Sequence, residues 1–180
     1  PLVSADAVLA SYHNWKDASE WPVSERFATA VHRNIAKQGD PLEKPGVVGA
    51  FCRTHSIESA IEKYLADVYT ECDVEGRYTY IGGSTSGGLV VYDDKYAFSH
   101  HGTDPTSGRL CNAFDLVRLH KYGLRDEDAR EGTPGVKLPS YTEMIGFATR
   151  DPKTKSLIIA EKMDSAQEDF AEELPVDESE

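Results

Sequence analysis

The chain has 180 residues, of which 39% are hydrophobic, and its net charge is −12. This composition is typical of a folded domain and excludes an intrinsically disordered chain. No apolar run is long enough for a transmembrane helix. The net charge at face value opposes binding to nucleic acid. However, residues 164–180 contain eight acidic residues and no Lys or Arg, and without them the net charge is −4. The rest of the chain is only mildly acidic and can therefore still carry a local basic patch.

The three cysteines, Cys52, Cys72 and Cys111, lack the spacing of a CxxC motif. This pattern predicts reduced thiols in a cytoplasmic protein. The N-terminus lacks the basic and apolar regions of a secretory signal. The chain begins at Pro1 and not at a Met, which indicates a trimmed chain or a segment of a longer protein.

The first segment, from Val3 to Gln38, has a helical pattern. Ser24 is expected to cap a helix that stops at Gly39. Residues 39–46 are rich in Gly and Pro, which predicts a loop. Ser56 then opens a helix whose apolar residues form one continuous stripe that we expect to be core. These residues are Ile57, Ala60, Ile61, Tyr64, Leu65 and Val68.

From Arg77 the hydrophobic period shortens from 3.6 toward 2. Residues 77–101 contain RYTYI, GLVVY and KYAFSH, which predict a small antiparallel sheet. Asp93-Asp94 between the last two runs predicts a tight hairpin turn. Asn112 is expected to cap the following helix, which Gly123 ends.

The last part of the chain returns to helical patterns. Ser140 to Glu143 has the form of a capping box, and Asp151-Pro152 predicts a helix with proline at its first position. Residues 164–180 are predicted to be an acidic tail or linker. We therefore predict one α+β domain over residues 1–163. Its parts are a helical part at 1–70, a β-ribbon with a capped helix at 77–123, and a helical part at 124–163.

Zinc is the one cofactor that the residues suggest. His100 and His101 close a strand, and Cys111 follows shortly before a helix. A structural zinc site needs four ligands, normally in close pairs, and Cys111 has no neighbouring cysteine. The alternative is that the two histidines face opposite sides of the strand and that one of them hydrogen-bonds the loop at Asp104.

Three other kinds of chemistry are open. His101, Asn112 and His120 occur in the order of a ββα-metal nuclease of the HNH type, in which histidines activate water and bind a metal. The connector GGSTSGG at 82–88 has enough glycine to cradle a phosphate, but it lacks the GK[ST] ending of a P-loop and a strand follows it. Asp93-Asp94 has the form of a paired-acid metal site, but the pair falls at a hairpin turn, where Asp is expected for turn chemistry alone.

A basic face is also possible around the predicted ribbon. It would contact the phosphates of DNA near the N-terminus of the helix that Asn112 caps. The candidate contacts are Arg53, His55, His100, His101, Arg109, Asn112, Arg118 and Lys121. The alternative is ordinary charge at helix ends and in loops. No catalytic residue is assigned.

Two long blocks of the sequence resemble a known family. They are GDPLEKPGVVGAFCRTHSI at 39–57 and RYTYIGGSTSGGLVVYDDKYAFSHHGTDPTSGRLCNAFDLVRLHKYG at 77–123. Both are similar to the region ahead of the helicase in virulence-associated protein E-like proteins, which are primase-helicases of phages and genomic islands. The resemblance covers roughly residues 1–150. The second block also looks like a worn zinc ribbon of bacterial primases, in which Cys111 with His100 or His101 would be remnants of the ligands.

The resemblance implies an accessory, non-catalytic region of a DNA primase-helicase. It would engage template DNA or couple the primase domain to the helicase domain, with the catalytic acids and the ATPase motifs of the parent outside this chain. No membrane partner is implied. A metal-dependent nuclease and a purely structural connector between domains are the alternatives.

Overall fold

The computed structural model describes residues 3–172, which form an α+β fold of seven α-helices and one antiparallel sheet of five strands. The helices are α1 (Ala5–Leu9), α2 (Glu25–Gln38), α3 (Gly46–Thr54), α4 (Ile57–Tyr64), α5 (Ala113–Tyr122), α6 (Pro139–Arg150) and α7 (Pro152–Glu172). The strands are β1 (Tyr69–Glu71), β2 (Arg77–Tyr80), β3 (Leu89–Tyr92), β4 (Tyr96–Ser99) and β5 (Leu110–Cys111). Short 3-10 turns lie at Ala18–Glu20, Gly123–Asp126 and Gly135–Lys137.

The sheet is a meander, in which each strand pairs with the next along the chain. It is wider than the predicted span of 77–101, because β1 and β5 add one strand at each edge. These strands have three and two residues, too few for an alternating pattern to show. The predicted turn is confirmed: Asp93 and Asp94 both have positive φ, as a type I′ hairpin turn requires. Asp94 also accepts the backbone N–H of Glu58 at 2.9 Å and so fixes the start of α4.

The core lies where α3, α4, α5 and α6 pack together against the sheet. Phe51 of α3 and Phe114 of α5 are fully buried at its centre, with ring centroids 6.1 Å apart. The predicted stripe of α4 belongs to this core, although the helix ends at Tyr64 and Val68 lies in the turn before β1. The helix α3 had no sequence prediction of its own.

Most of the predicted helix starts are confirmed, and one is wrong. Ser24 and Asn112 cap α2 and α5 as expected, and Pro152 is the first residue of α7. The capping box at Ser140 is wrong, because α6 already begins at Pro139. Ser140 instead lies buried inside the first turn, where the distant Asp126 carboxylate accepts its N–H at 2.9 Å and its hydroxyl at 2.6 Å.

The structure differs from the predictions for the N-terminal segment and for the acidic tail. The segment from Val3 to Gln38 is not one helical run, since turn-forming residues such as Asn14 and Pro22 separate α1 from α2. The predicted tail starts within α7, which continues to Glu172, and residues 173–180 lie outside the described part. Within residues 3–172, no helix combines the length and the apolar character that crossing a membrane demands.

Candidate functional site

His101, a candidate for zinc and for DNA, lies buried at the end of β4. Its Nε2 accepts the backbone N–H groups of Tyr80 and Gly88, each at 3.1 Å. Because Nε2 accepts both bonds, the ring proton must lie on Nδ1, which then donates to Thr85 Oγ1 at 3.1 Å. Burial lowers the pKa of His101. The imidazole therefore stays neutral and joins three parts of the sheet region.

The position of this imidazole also explains why the connector at 82–88 is rich in glycine. A Cβ on Gly88 would lie 2.7 Å from two ring atoms of His101, and a Cβ on Gly83 would lie 3.3 Å from Nδ1. The connector therefore needs glycine so that its backbone can approach the ring. The N–H of Gly88 points to the imidazole and not to a bound phosphate.

The buried carboxylate of Asp104 organises a second polar cluster. It accepts the hydroxyls of Tyr69, Ser99 and Thr106, each at 2.7 Å, and lies 3.3 Å from Nε2 of His120. Nε2 of His120 is also 2.7 Å from the Tyr69 hydroxyl. Burial alone would raise the pKa of Asp104, but hydrogen bonds from His120, Thr106 and Ser99 hold it well below its usual value. These groups join β1, β4 and α5 through internal bonds.

A third cluster surrounds Asp151 at the start of α7. Its Oδ2 accepts from His55 at 3.0 Å and from the backbone N–H of Thr154 at 3.0 Å, and Oδ1 accepts from Lys63 at 2.6 Å and from Tyr64 at 2.7 Å. Burial alone would raise the pKa of Asp151, but the hydrogen bond from Lys63 and those from Thr154, His55 and Tyr64 hold it well below its usual value. His55 is buried in this cluster and offers no surface for DNA.

Three further candidates bond to other parts of the fold; Asn112 and Arg118 are buried, and Arg53 is exposed. Asn112 is buried and accepts the N–H of Asp115 as the cap of α5. Arg118 donates to Asp115 at 3.0 Å and to Ser140 at 2.6 Å. Arg53 pairs with Glu161 of α7 at 2.7 Å and donates to the backbone of the preceding loop. Since His101, Asn112 and His120 all have internal partners, the arrangement does not support nuclease chemistry.

The candidate zinc ligands do not fit a metal site. His101 uses Nε2 as an acceptor of two N–H groups. Cys111 is buried, and burial raises the pKa of its thiol far above the range in which a thiolate forms. His100 is exposed on the other side of the strand. Over residues 3–172, no three His, Cys, Asp or Glu side chains are grouped to hold a metal ion.

We expect EDTA to leave the melting temperature of the purified chain unchanged, because hydrogen bonds and not metal ligands hold the ribbon. Thermal unfolding with and without chelator measures this, together with the zinc content of the sample. A chelator-induced loss of stability that added zinc restores would contradict the assignment.

We also expect His101 to show the Nδ1–H tautomer and a titration midpoint below 6.5, the ordinary value for histidine. Long-range ¹H–¹⁵N NMR of the ring nitrogens measures both. Because the folded pKa is lowered, the unfolded state takes up the proton first, and stability falls as the pH drops below about 6.5. A midpoint above 6.5, or an Nε2–H ring, would contradict the hydrogen bonds described.

The candidates that reach the surface are Arg53, His100, Arg109 and Lys121. His100 packs its ring against Phe27 and Phe98, with centroids 4.9 and 5.0 Å away. Lys121 lies 5.6 Å from the ring of Phe147. His100 thus belongs to the side of the sheet that α2 covers.

The outer face of α2 carries a row of cations that the sequence reasoning missed. Arg26, Arg33 and Lys37 are exposed and follow spacings of seven and four, so they project within about 40° of one another. Within the described residues none of them forms an ion pair. Phe27 and Val31 on the other face pack toward the sheet. We call Arg26, Arg33 and Lys37 the α2 basic row.

An apolar pocket of about 250 Å³ adjoins the first turn of α2. Trp21 is 39% exposed, and its indole N–H donates to the backbone oxygen of Trp15 at 2.9 Å. Arg77 lies in the wall, where its Nη1 donates to the backbone oxygen of Gly87 at 2.9 Å. We call this site the aromatic pocket. Its lining includes Trp21, Pro22, Val23, Phe27, Arg77 and His100.

A larger groove of about 560 Å³ lies between α4 and the edge of the sheet and is acidic. Glu58, Glu62 and Glu71 line it beside Tyr78. Desolvation and the carboxylate of Asp94 raise the pKa of Glu58, and burial with the neighbouring carboxylates raises the pKa of Tyr78 to about 12. This groove would repel a polyanion, so the surfaces near α2 and near α4 differ in the partners that they favour.

Comparisons with protein-family models, with curated proteins and with solved structures give no match at a significant level, so the resemblance seen in the sequence stays a prediction.

Proposed function

We propose that this chain is an accessory, non-catalytic domain of a phage or genomic-island DNA primase-helicase, and that it engages single-stranded template through the outer face of α2. The α2 basic row carries the proposal. Arg26 and Lys37 are eleven residues apart, which is about 16 Å along the helix. Three cations in one line, without ion-pair partners among residues 3–172, suit the phosphates of an extended strand.

The rest of the fold supports an accessory role. The buried polar groups at His101, Asp104 and Asp151 have partners within the domain, and those partners hold the sheet and helices together. In this reading, the primase and helicase domains of the parent perform the chemistry, and this region holds DNA between them. Cys52, Cys72 and Cys111 are free thiols, as expected for a protein that acts in the reducing cytoplasm.

Fluorescence anisotropy with a labelled oligo-dT at several salt concentrations tests the proposal. For single strands, each phosphate contact contributes about 0.7 to the slope of log K against log salt. We therefore expect the triple variant Arg26→Ala, Arg33→Ala and Lys37→Ala to bind more weakly, with a slope smaller by about 2.

A matched control removes three exposed lysines of α7, by Lys153→Ala, Lys155→Ala and Lys162→Ala. It changes the net charge by the same amount, so any effect of total charge is equal in the two variants. We expect the control to keep the wild-type slope. Equal losses in both variants, or no binding by the wild-type chain at low salt, would refute the proposed function.

A further inference from the structure

We propose that the aromatic pocket binds one unstacked nucleobase of the strand that lies along α2. This inference rests on the proposed function and adds the part of the ligand that the pocket recognises. Trp21, Phe27 and His100 offer aromatic rings around one opening, and Pro22 and Val23 make the remaining wall apolar. Base stacking on aromatic side chains is the usual means by which proteins hold single strands without reading their sequence.

The size of the pocket favours a single ring system. Its volume of about 250 Å³ lies below the roughly 300–1,000 Å³ of sites for drug-sized ligands. The pocket therefore suits a base alone, with its sugar and phosphate outside. Trp21 and Val23 in the lining are exposed, and the aromatic ring gains from contact with a flat apolar face.

Charge at the rim favours a nucleotide. Arg77 is held in place by the backbone oxygens of Gly87 and Ala18, at 2.9 and 3.4 Å, so its guanidinium keeps a fixed position in the wall. The carboxylate of Asp17 accepts the N–H of Ser19 at 2.9 Å and also interacts with the cation of Arg77. Arg26 of the α2 basic row immediately precedes Phe27 in the sequence. A strand whose phosphates contact the row would thus bring a base to the pocket.

His100 contributes to this site as an uncharged ring. His100 is exposed at the residue level, but one side of its ring packs on Phe27 and Phe98; this partial desolvation and the nearby cation of Arg77 lower the pKa of His100. The imidazole is therefore neutral at physiological pH and acts as an aromatic surface. Its neighbour His101 points into the fold, so the two histidines of this pair have separate roles.

The test compares two oligonucleotides of equal length and charge on the full chain: oligo-dT and its fully abasic counterpart. In the variant Trp15→Phe, Trp21 is the one remaining tryptophan and reports on the pocket directly. The substitution keeps the backbone oxygen that Trp21 uses, so we expect wild-type affinity. We expect oligo-dT to quench Trp21 and to bind about 5- to 150-fold more tightly than the abasic strand.

A second variant tests the role of the ring at position 100. His100→Ala should remove most of the preference for oligo-dT over the abasic strand and leave the salt slope unchanged, because the phosphate contacts remain. Equal affinity of the wild-type chain for both strands, without quenching, would overturn the pocket proposal. It would still be consistent with phosphate binding by the α2 basic row. Failure of both strands to bind would overturn the proposed function as well.

Discussion

Replacing Asp104 by Asn is expected to lower the free energy of unfolding by about 3–5 kcal/mol, the usual cost of leaving the partners of a buried charge unpaired. Asn has nearly the volume of Asp, so the loss reports hydrogen bonds and not a cavity. The carboxylate accepts from Tyr69, Ser99 and Thr106, and it faces His120. An amide offers one acceptor oxygen and places an N–H₂ group against these donors.

Urea denaturation measures this loss, and an unchanged m-value would show that both proteins unfold in the same way. Asp164→Asn on the exposed side of α7 is the matched control and should change stability little. The sign of the pH effect follows from the lowered pKa of Asp104. Its contribution is complete above the unfolded value near 3.8 and is lost as the pH falls through the folded value, so the two stabilities should converge in acid. A cost below about 1 kcal/mol at pH 7, the net value of one ordinary hydrogen bond, would contradict the cluster.

Replacing Gly88 by Ala is expected to cost about 2–4 kcal/mol, because it combines overpacking with the loss of hydrogen bonds. The new Cβ would lie 2.7 Å from the ring of His101. The ring must move, and the backbone N–H groups of Tyr80 and Gly88 then lose their acceptor. Gly102→Ala is the matched control, since a Cβ there meets no atom within 4 Å.

A double-mutant cycle separates this clash from a simple preference for glycine. In the background of His101→Ala, the ring is absent, so Gly88→Ala should cost much less than in the wild type. Urea denaturation of the four proteins gives the coupling between the two positions. Costs that add without coupling would show that His101 is not the reason for glycine at position 88.

Local signals in the sequence predicted the parts of the fold whose causes are local. Asn112 caps a helix with a bond that spans three residues, and Asp93-Asp94 forms a turn that needs no distant partner. Ser140 shows the limit, because its cap is a carboxylate fourteen residues earlier. The strands β1 and β5 were missed for a similar reason, since their pairing and not their composition makes them strands.

The residues of the candidate site show the same difference between local signals and distant partners. His55 and Arg118 looked like free polar groups, but His55 bonds to Asp151, which is 96 residues later, and Arg118 donates to Ser140 of α6 as well as to Asp115. The buried state of His101 also depends on a connector that folds back over it. The α2 basic row was visible in principle, because the spacing of Arg26, Arg33 and Lys37 fits one helical face. It lies outside the motif-rich segment from Tyr78 to Gly123, and no motif marks it.

The most direct test of the account is the map of amide NMR shifts when a short oligo-dT is added to the ¹⁵N-labelled chain at low salt. We expect the changes to cluster along α2, at residues 18–24 and at His100, and to weaken together as salt is raised. The acidic groove beside Glu58 and Glu71 should remain unaffected. Shifts centred on that groove or on the buried Asp104 cluster, or no shifts at all, would contradict the assignment of DNA contact to α2 and the aromatic pocket.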